Sequence, residues 1–167
     1  MAPHRILIIG NSGSGKTTLA ERLGARLALP VIELDLLHWE NDGAGPKRDE
    51  AATIASAQAA AAAPRWIMEG IYGWLAEAII ARATTLLWLD LPWEECRAGL
   101  IARGPRRGAT AQDEAALHAW AEAYWTRTTP SSFAGHARMF GAYAGAKQRL
   151  TSRDAIDGFV RKCESRA

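Results

Sequence analysis

The sequence of 167 residues predicts a single α/β domain, residues 1–167, in which helices cover both faces of a parallel sheet. Two observations lead to this prediction. Five short apolar runs alternate with helical patterns along the chain, and a glycine-rich segment connects the first run directly to the first helix. Hydrophobic residues make up 49% and charged residues 23% of the sequence, which excludes a disordered or fibrous protein.

The five strands are predicted where apolar residues follow one another between turn residues. The first run is apolar from Ile6 until it ends at Gly10, a pattern typical of a strand that is buried on both faces. The fifth run is the weakest pattern of the five. The predicted strands are residues 5–9, 31–34, 65–69, 84–90 and 147–150.

The helices are predicted from apolar spacing and from the prolines and glycines that bound them. Leu19, Leu23 and Leu27 recur at a spacing of four, which predicts a helix that ends near Leu29, before Pro30. Further helices are predicted at residues 49–62, 74–82, 93–102, 112–127 and 131–143, and a last one from Thr151 or Ser152 onward.

Composition narrows the class of protein. No run approaches the ~18 apolar residues of a membrane span, and the N-terminus lacks a signal-type apolar segment, so we expect a cytoplasmic protein without a membrane partner. Cys96 and Cys163 lie far apart without metal-ligand spacing, which suggests neither a disulfide framework nor a zinc site. A net charge of +2 is too small to indicate a nucleic-acid partner.

Residues 10–17 match the pattern G-x-x-x-x-G-K-[ST] at every position, between a predicted buried strand and an amphipathic helix. Glycines in this pattern let backbone amides converge on phosphate oxygens, and the helix N-terminus adds partial positive charge. Lys16 can then reach the β- and γ-phosphates, while the Thr17 hydroxyl can ligate Mg²⁺. We predict that a nucleoside triphosphate and Mg²⁺ bind at this phosphate loop, whose binding residues are Gly10, Asn11, Ser12, Gly13, Ser14, Gly15, Lys16, Thr17 and Thr18.

The alternatives for this segment are a chance match in a glycine-bearing loop and a degenerate loop that no longer binds. The flanking strand and helix argue against both. The loop by itself does not distinguish hydrolysis from phosphate transfer.

Together with further short motifs, the loop resembles the small nucleoside-monophosphate-kinase-like P-loop proteins, most closely the adenylate-kinase-like group known as DNA topology modulation proteins. The resemblance covers nearly the whole chain. It implies a three-layer P-loop NTPase fold with strand order 2-3-1-4-5, an acceptor site between the second and third strands, and a short Arg-bearing helical lid at about 103–130. Besides the loop, it rests on residues 34–39, 66–72, 87–92 and 149–152, and on the arginines after the fourth-strand helix.

The resemblance implies roles for two carboxylates. Asp35 would hold an acceptor hydroxyl or accept its proton, although a plain loop cap is the alternative. Glu69 stands where the family more often has Asp, and it would hold a magnesium-bound water. Ile71 replaces a usual asparagine, which removes a polar acceptor contact.

Arginines after the fourth-strand helix would neutralise charge on the transferred phosphate. Arg103 and Arg107 complete the predicted catalytic set with Lys16 and Asp35, and Arg106 lies beside them. A solvated helix end is the alternative for this cluster.

For several other polar and aromatic side chains, a structural role is weighed against a role in the site. Arg127 could join the lid arginines, and Asp90 reads as a residue at the end of a strand. His38, Trp39 and Trp74 could line the acceptor pocket, but core packing is the simpler interpretation for each.

We therefore expect a phosphotransferase that moves the γ-phosphate of Mg-ATP to a small acceptor, which could be a nucleotide, a nucleoside or another hydroxylated metabolite. The alternatives are a weak ATPase and a nucleotide-gated regulatory or DNA-interacting protein. The chain is expected to be a monomer or homodimer.

Overall fold

Five parallel strands form the centre of the molecule, in a computed structural model that describes residues 4–40, 45–106 and 108–164. Their order is β2-β3-β1-β4-β5, which confirms the predicted sheet. The central strand β1 has its four apolar residues, Ile6 to Ile9, fully buried, as its uninterrupted apolar run predicts. The strands are β1 (Arg5–Gly10), β2 (Val31–Glu33), β3 (Trp66–Gly70), β4 (Thr85–Leu89) and β5 (Ala146–Leu150).

Helices pack on both faces of the sheet and form two hydrophobic layers. Residues from α1, α5 and α8 cover one face, where Leu23, Cys96 and Val160 pack against alternate residues of β1 and β4. Residues from α3, α4 and α7 cover the other face. The helices are α1 (Lys16–Leu27), α2 (Leu34–Leu37), α3 (Glu50–Ala61), α4 (Gly73–Glu77), α5 (Trp93–Arg103), α6 (Ala111–Glu122), α7 (Phe133–Ala142) and α8 (Arg153–Glu164).

Three predicted element boundaries were wrong. The second strand ends at Glu33, because the chain turns into α2 and brings Asp35 to the amides that follow β3. The helix predicted at 74–82 is short and is followed by a separate 3₁₀ turn, Ile80–Arg82. The helix predicted at 112–127 ends at Glu122, and a 3₁₀ turn then directs Tyr124 into the core. Tertiary contacts override the local helical pattern at the last two of these places.

No helix in these described ranges is long and apolar enough to cross a membrane.

Candidate functional site

The phosphate loop is wedged between the end of β4 and helix α5. Gly13 and Gly15 have φ angles of 78° and 94°, in the left-handed region that disfavours other residues. A Cβ atom on Gly13 would lie 2.1 Å from the backbone oxygen of Cys96. Glycine is therefore needed at position 13 both for the backbone conformation and for the close approach of α5.

Lys16 closes the loop from its C-terminal end. The side chain is buried, and its Nζ donates a hydrogen bond to the backbone oxygen of Asn11 at 2.9 Å. The hydroxyl of Ser14 donates to the same oxygen at 2.7 Å. The Asn11 side chain in turn donates to the backbone oxygen of Ala121 at 2.9 Å, which ties the loop to the end of α6.

Glu69 lies beside the loop, on strand β3. The Thr17 hydroxyl donates to its carboxylate at 2.8 Å. Burial disfavours the charged form and raises the pKa of Glu69 from 4.5 to about 7, while nearby Lys16 opposes this rise and Asp35 adds to it. Two hard oxygen donors of this kind are suited to Mg²⁺ or to a water that it holds.

Asp35 is held at the N-terminal end of α2 by the backbone that follows β3. Its carboxylate accepts the amide of Ile71 at 3.1 and 3.2 Å and the amide of Tyr72 at 3.4 Å. Burial raises the pKa of Asp35, while Lys16, the two amides and Arg106 lower it. A Cβ atom on Gly70 would lie 2.5 Å from the Asp35 carboxylate, so glycine at that position permits the contact.

Two clefts meet at Asp35. The first, which we call the loop cleft, has a volume of about 560 Å³ and is lined by Lys16, Thr17 and Glu69 among others. The second, which we call the side cleft, has a volume of about 700 Å³. Its walls include the aromatic side chains of Trp39, Tyr72 and Trp120. Both clefts share the four residues Ser12, Asp35, Arg103 and Arg106.

The arginines of the predicted lid lie at or after the end of helix α5. Arg103 ends α5, and the pKa of its guanidinium is lowered first by burial and then by Arg106. Gly104 and Gly108 follow α5 and have φ angles of 71° and 82°. The predicted catalytic residue Arg107 lies outside the described residues.

Arg127 lines neither of the two clefts. Its guanidinium donates to the backbone oxygens of Trp120 and Ser131, the latter at 2.8 Å, and lies 4.1 Å from the centre of the Trp120 ring. These contacts indicate a structural role, in which Arg127 supports an aromatic wall of the side cleft.

The contacts of Asp90 and His38 agree with a structural role for each residue. Asp90 forms an ion pair with Arg149, whose Nε lies 2.8 Å from the carboxylate. His38 is buried, its Nδ1 lies 3.3 Å from the Thr53 hydroxyl, and its ring packs on that of Trp74. Trp39, by contrast, faces the side cleft.

A buried network that the sequence did not reveal supports the Asp35 contact from behind. The indole of Trp88 donates to the Tyr124 hydroxyl at 3.2 Å, and this hydroxyl lies 2.8 Å from His136 Nδ1. His136 Nε2 lies 2.9 Å from the backbone oxygen of Ile71. Since a carbonyl only accepts, Nε2 carries the proton and Tyr124 donates to Nδ1.

This network needs a neutral histidine. His136 is fully buried, and burial lowers its pKa to about 4. The imidazole therefore stays neutral at physiological pH and donates a hydrogen bond to the Ile71 carbonyl. The amide of the same residue donates to the Asp35 carboxylate. Neither the spacing of these residues nor any local motif could have identified the network.

The phosphate loop and its neighbours fit a magnesium-polyphosphate group. Left-handed glycines of this kind are typical of an anion nest, and Lys16, Thr17 and Glu69 place one cation and two oxygen donors at the loop. Among the residues that the structure covers, no group of three or more His, Cys, Asp or Glu side chains could hold a metal ion. Mg²⁺ commonly takes its remaining ligands from substrate phosphates and water.

Comparison with solved structures finds kinases of similar fold. A shikimate kinase from Bacteroides thetaiotaomicron is 18% identical with a TM-score of 0.64, over 98% of each chain. A gluconokinase from Sinorhizobium meliloti 1021 is 16% identical with a TM-score of 0.57, over 98% of this chain and 90% of that one. A sugar kinase from Janibacter sp. HTCC2649 is 18% identical with a TM-score of 0.55, over 98% and 94% of the two chains.

No protein-family model and no curated protein sequence matches the chain. At the identities of the solved structures, the likeness shows the fold alone. The chain has the P-loop kinase fold, with a five-stranded parallel sheet and helices on both faces.

Proposed function

We propose that this protein is a small-molecule kinase that transfers the γ-phosphate of Mg-ATP to the hydroxyl of a small acceptor. The observation that supports this most directly is the meeting of the loop cleft and the side cleft at Asp35. A nucleotide switch or hydrolase needs one cleft and a water-positioning residue, whereas transfer between two substrates needs two adjoining clefts and a group between them.

The loop cleft is the proposed ATP site. Lys16 would contact the β- and γ-phosphates, Thr17 would ligate the metal, and Glu69 would hold a metal-bound water. Mg²⁺, when bound, would neutralise charge on the phosphate oxygens. Glu69 is one methylene longer than the aspartate typical of the resembled family. Its hydrogen bond with Thr17 supports the assignment, because it brings the two proposed magnesium-binding oxygens side by side.

Asp35 is the proposed base of the reaction. Two backbone amides orient its carboxylate at the junction of the clefts, and its raised pKa makes the carboxylate a stronger base than an exposed aspartate. It would bind the acceptor hydroxyl and accept its proton during transfer.

Arg103 and Arg106 line both clefts, which supports the proposal that they would neutralise the phosphate as it moves between them. Arg107 is proposed for the same role from the sequence. With Gly104 and Gly108 as hinges, this segment would close over the substrates. Lid closure predicts stronger protection of residues 103–106 from hydrogen exchange with ATP and acceptor than with ATP alone, and equal protection would contradict it.

The side cleft is the proposed acceptor site. Its aromatic walls suit the face of a sugar or another ring. Lys47, Arg103 and Arg106 line the side cleft together with Asp35, Asp113 and Glu114, so groups of both signs are available to bind the hydroxyls and substituents of an acceptor. The three kinases of similar fold are named for sugars, gluconate and shikimate, which makes hydroxylated metabolites the first acceptors to test. Nucleosides and nucleotides come next, from the resemblance to nucleoside-monophosphate kinases and DNA topology modulation proteins.

We further propose a cytoplasmic protein that acts as a monomer or homodimer. Nucleic acid is not part of the proposal, because Arg103 and Arg106 line clefts rather than a basic stripe on the surface.

The test is ADP release from Mg-ATP against a panel of sugar acids, shikimate, polyols, nucleosides and nucleoside monophosphates. Lys16→Ala is the blank, because loss of its charge should lower turnover on the order of 100-fold. An acceptor that stimulates wild-type turnover well above this blank supports the kinase and names its substrate. Slow turnover that no acceptor stimulates would instead favour a weak ATPase, and steeply salt-dependent duplex binding would favour a DNA-interacting protein.

A further inference from the structure

The first residue of the last helix, Arg153, binds backbone oxygens of the phosphate loop. Arg153 Nη1 donates to the backbone oxygen of Ser14 at 2.7 Å, and Nη2 donates to that of Gly13 at 3.4 Å. Its Nε lies 3.2 Å from the carboxylate of Glu95 in the first turn of α5. The loop, α5 and α8 thus meet at one guanidinium.

This contact supplies hydrogen-bond donors that the loop conformation requires. When the amides of a nest turn toward an anion, the carbonyls turn away and require donors of their own. The planar guanidinium offers two donors in a fixed arrangement, which a lysine cannot reproduce.

Gly15 provides the room for this contact. A Cβ atom at position 15 would lie 2.6 Å from Arg153 Nη1. The glycine is therefore required for its φ angle of 94° and also for the approach of the guanidinium.

We propose that Arg153 is a positioning residue that preorganises the phosphate loop and thereby raises its affinity for the phosphates of the nucleotide. The inference rests on the proposed function only for the identity of the ligand, and it does not depend on phosphate transfer. Preorganised donors bind more tightly because the loop loses less conformational freedom on binding. Arg153 also lines the loop cleft, so simple attraction between its charge and the phosphates is the competing explanation.

Arg22 provides a matched control for that explanation. It also lines the loop cleft, and its side chain is 42% exposed against 43% for Arg153. Its guanidinium pairs with Asp157 at 2.7 Å rather than with the loop. Arg22→Gln and Arg153→Gln therefore remove the same charge from the same cleft, but only the second removes donors from the loop.

Substitution of Glu95 distinguishes the two explanations, because they predict opposite changes in nucleotide affinity. Glu95→Ala leaves Arg153 charged and removes a negative charge near the cleft, so simple attraction predicts tighter nucleotide binding. Preorganisation predicts weaker binding, because Arg153 loses the carboxylate that orients it. Glu94→Ala is the control, since it removes an exposed carboxylate from the same first turn of α5.

The experiment is calorimetric binding of Mg-ATP and of Mg-pyrophosphate to the wild type and the four variants, with thermal unfolding of each free protein. Arg153→Gln should weaken both ligands roughly tenfold, the value of one charge-assisted hydrogen bond, and Arg22→Gln by less than about twofold. Glu95→Ala should weaken both ligands and Glu94→Ala should not.

Equal effects of the two arginine variants, or tighter binding by Glu95→Ala, would overturn the inference. So would a wild type that binds neither ligand. If Arg153→Gln does not fold, the comparison of Glu95→Ala with Glu94→Ala decides. A wild type that binds Mg-ATP but phosphorylates no acceptor would refute the proposed kinase activity. The binding data alone would then decide whether Arg153 preorganises the loop.

Discussion

Glu69→Gln should stabilise the protein at neutral and alkaline pH. The Glu69 side chain is 3% exposed, and its burial raises the carboxyl pKa from 4.5 to about 7. Glutamine has nearly the same shape, and its side-chain oxygen can still accept the 2.8 Å hydrogen bond that the Thr17 hydroxyl donates. The substitution therefore removes the buried charge and keeps the packing.

The size of the effect follows from the pKa of Glu69. In the unfolded chain the carboxyl loses its proton near pH 4.5, whereas in the folded protein it keeps the proton up to about pH 7. Between these values the folded state binds more protons, so stability falls as the pH rises, and it levels off above pH 7. Since a tenfold change in acidity corresponds to ~1.4 kcal/mol, the ionised folded protein loses about 3 kcal/mol of stability.

The assay is urea unfolding of the wild type and Glu69→Gln between pH 4.5 and 8. The variant should gain about 3 kcal/mol relative to the wild type across this interval, with nearly all of the gain complete by pH 8. Glu94→Gln controls for the loss of an exposed carboxylate. A difference between wild type and Glu69→Gln that does not change with pH would refute the argument that burial strains the charged form.

Three further predictions concern the Asp35 region and the support behind it. Asp35→Asn should leave Mg-ATP affinity within about threefold and lower acceptor-dependent turnover at least ~100-fold; equal losses of both would argue against a base. His136→Phe should lower the free energy of unfolding by roughly 2–4 kcal/mol in urea, because it leaves the buried Ile71 carbonyl without a donor, and an unchanged value would contradict this. Gly73→Ala should destabilise by at least ~2 kcal/mol, since its Cβ would lie 1.9 Å from a backbone oxygen, whereas Gly141→Ala in α7 has open space and should gain about 0.5–1 kcal/mol; similar unfolding curves for the two would sink the steric argument.

The sheet could be predicted from the sequence because its signals are local. Each strand is a short apolar run beside a turn, and each helix has apolar residues at a regular spacing. The phosphate loop is equally local, since its conformation depends on glycines a few residues apart. The strand order and the candidate roles of Asp35 and Glu69 came from the resemblance, because no local pattern reports which strands are neighbours.

The supports of the site could not be predicted because they join residues far apart in sequence. His136 meets the Ile71 carbonyl across 65 residues, and Arg153 meets the Ser14 carbonyl across 139. Nothing in the local sequence marks either side chain as a hydrogen-bond donor to a loop. The early end of α6 has the same origin, since Tyr124 leaves the helix to bond with Trp88.

The two carboxylates of the site argue for a ligand that brings positive charge. Asp35 and Glu69 lie on neighbouring segments, burial raises the pKa of both, and Lys16 opposes the rise at both positions. A fold selected only for stability would place uncharged residues here, because replacing buried charges by packed neutral groups is often stabilising. A bound divalent cation would favour the ionised forms and offset the cost of burial. Binding of the cation would then relieve the destabilisation of the free site and thereby contribute to the binding free energy. For this reason Glu69→Gln should be more stable and yet bind Mg-ATP more weakly.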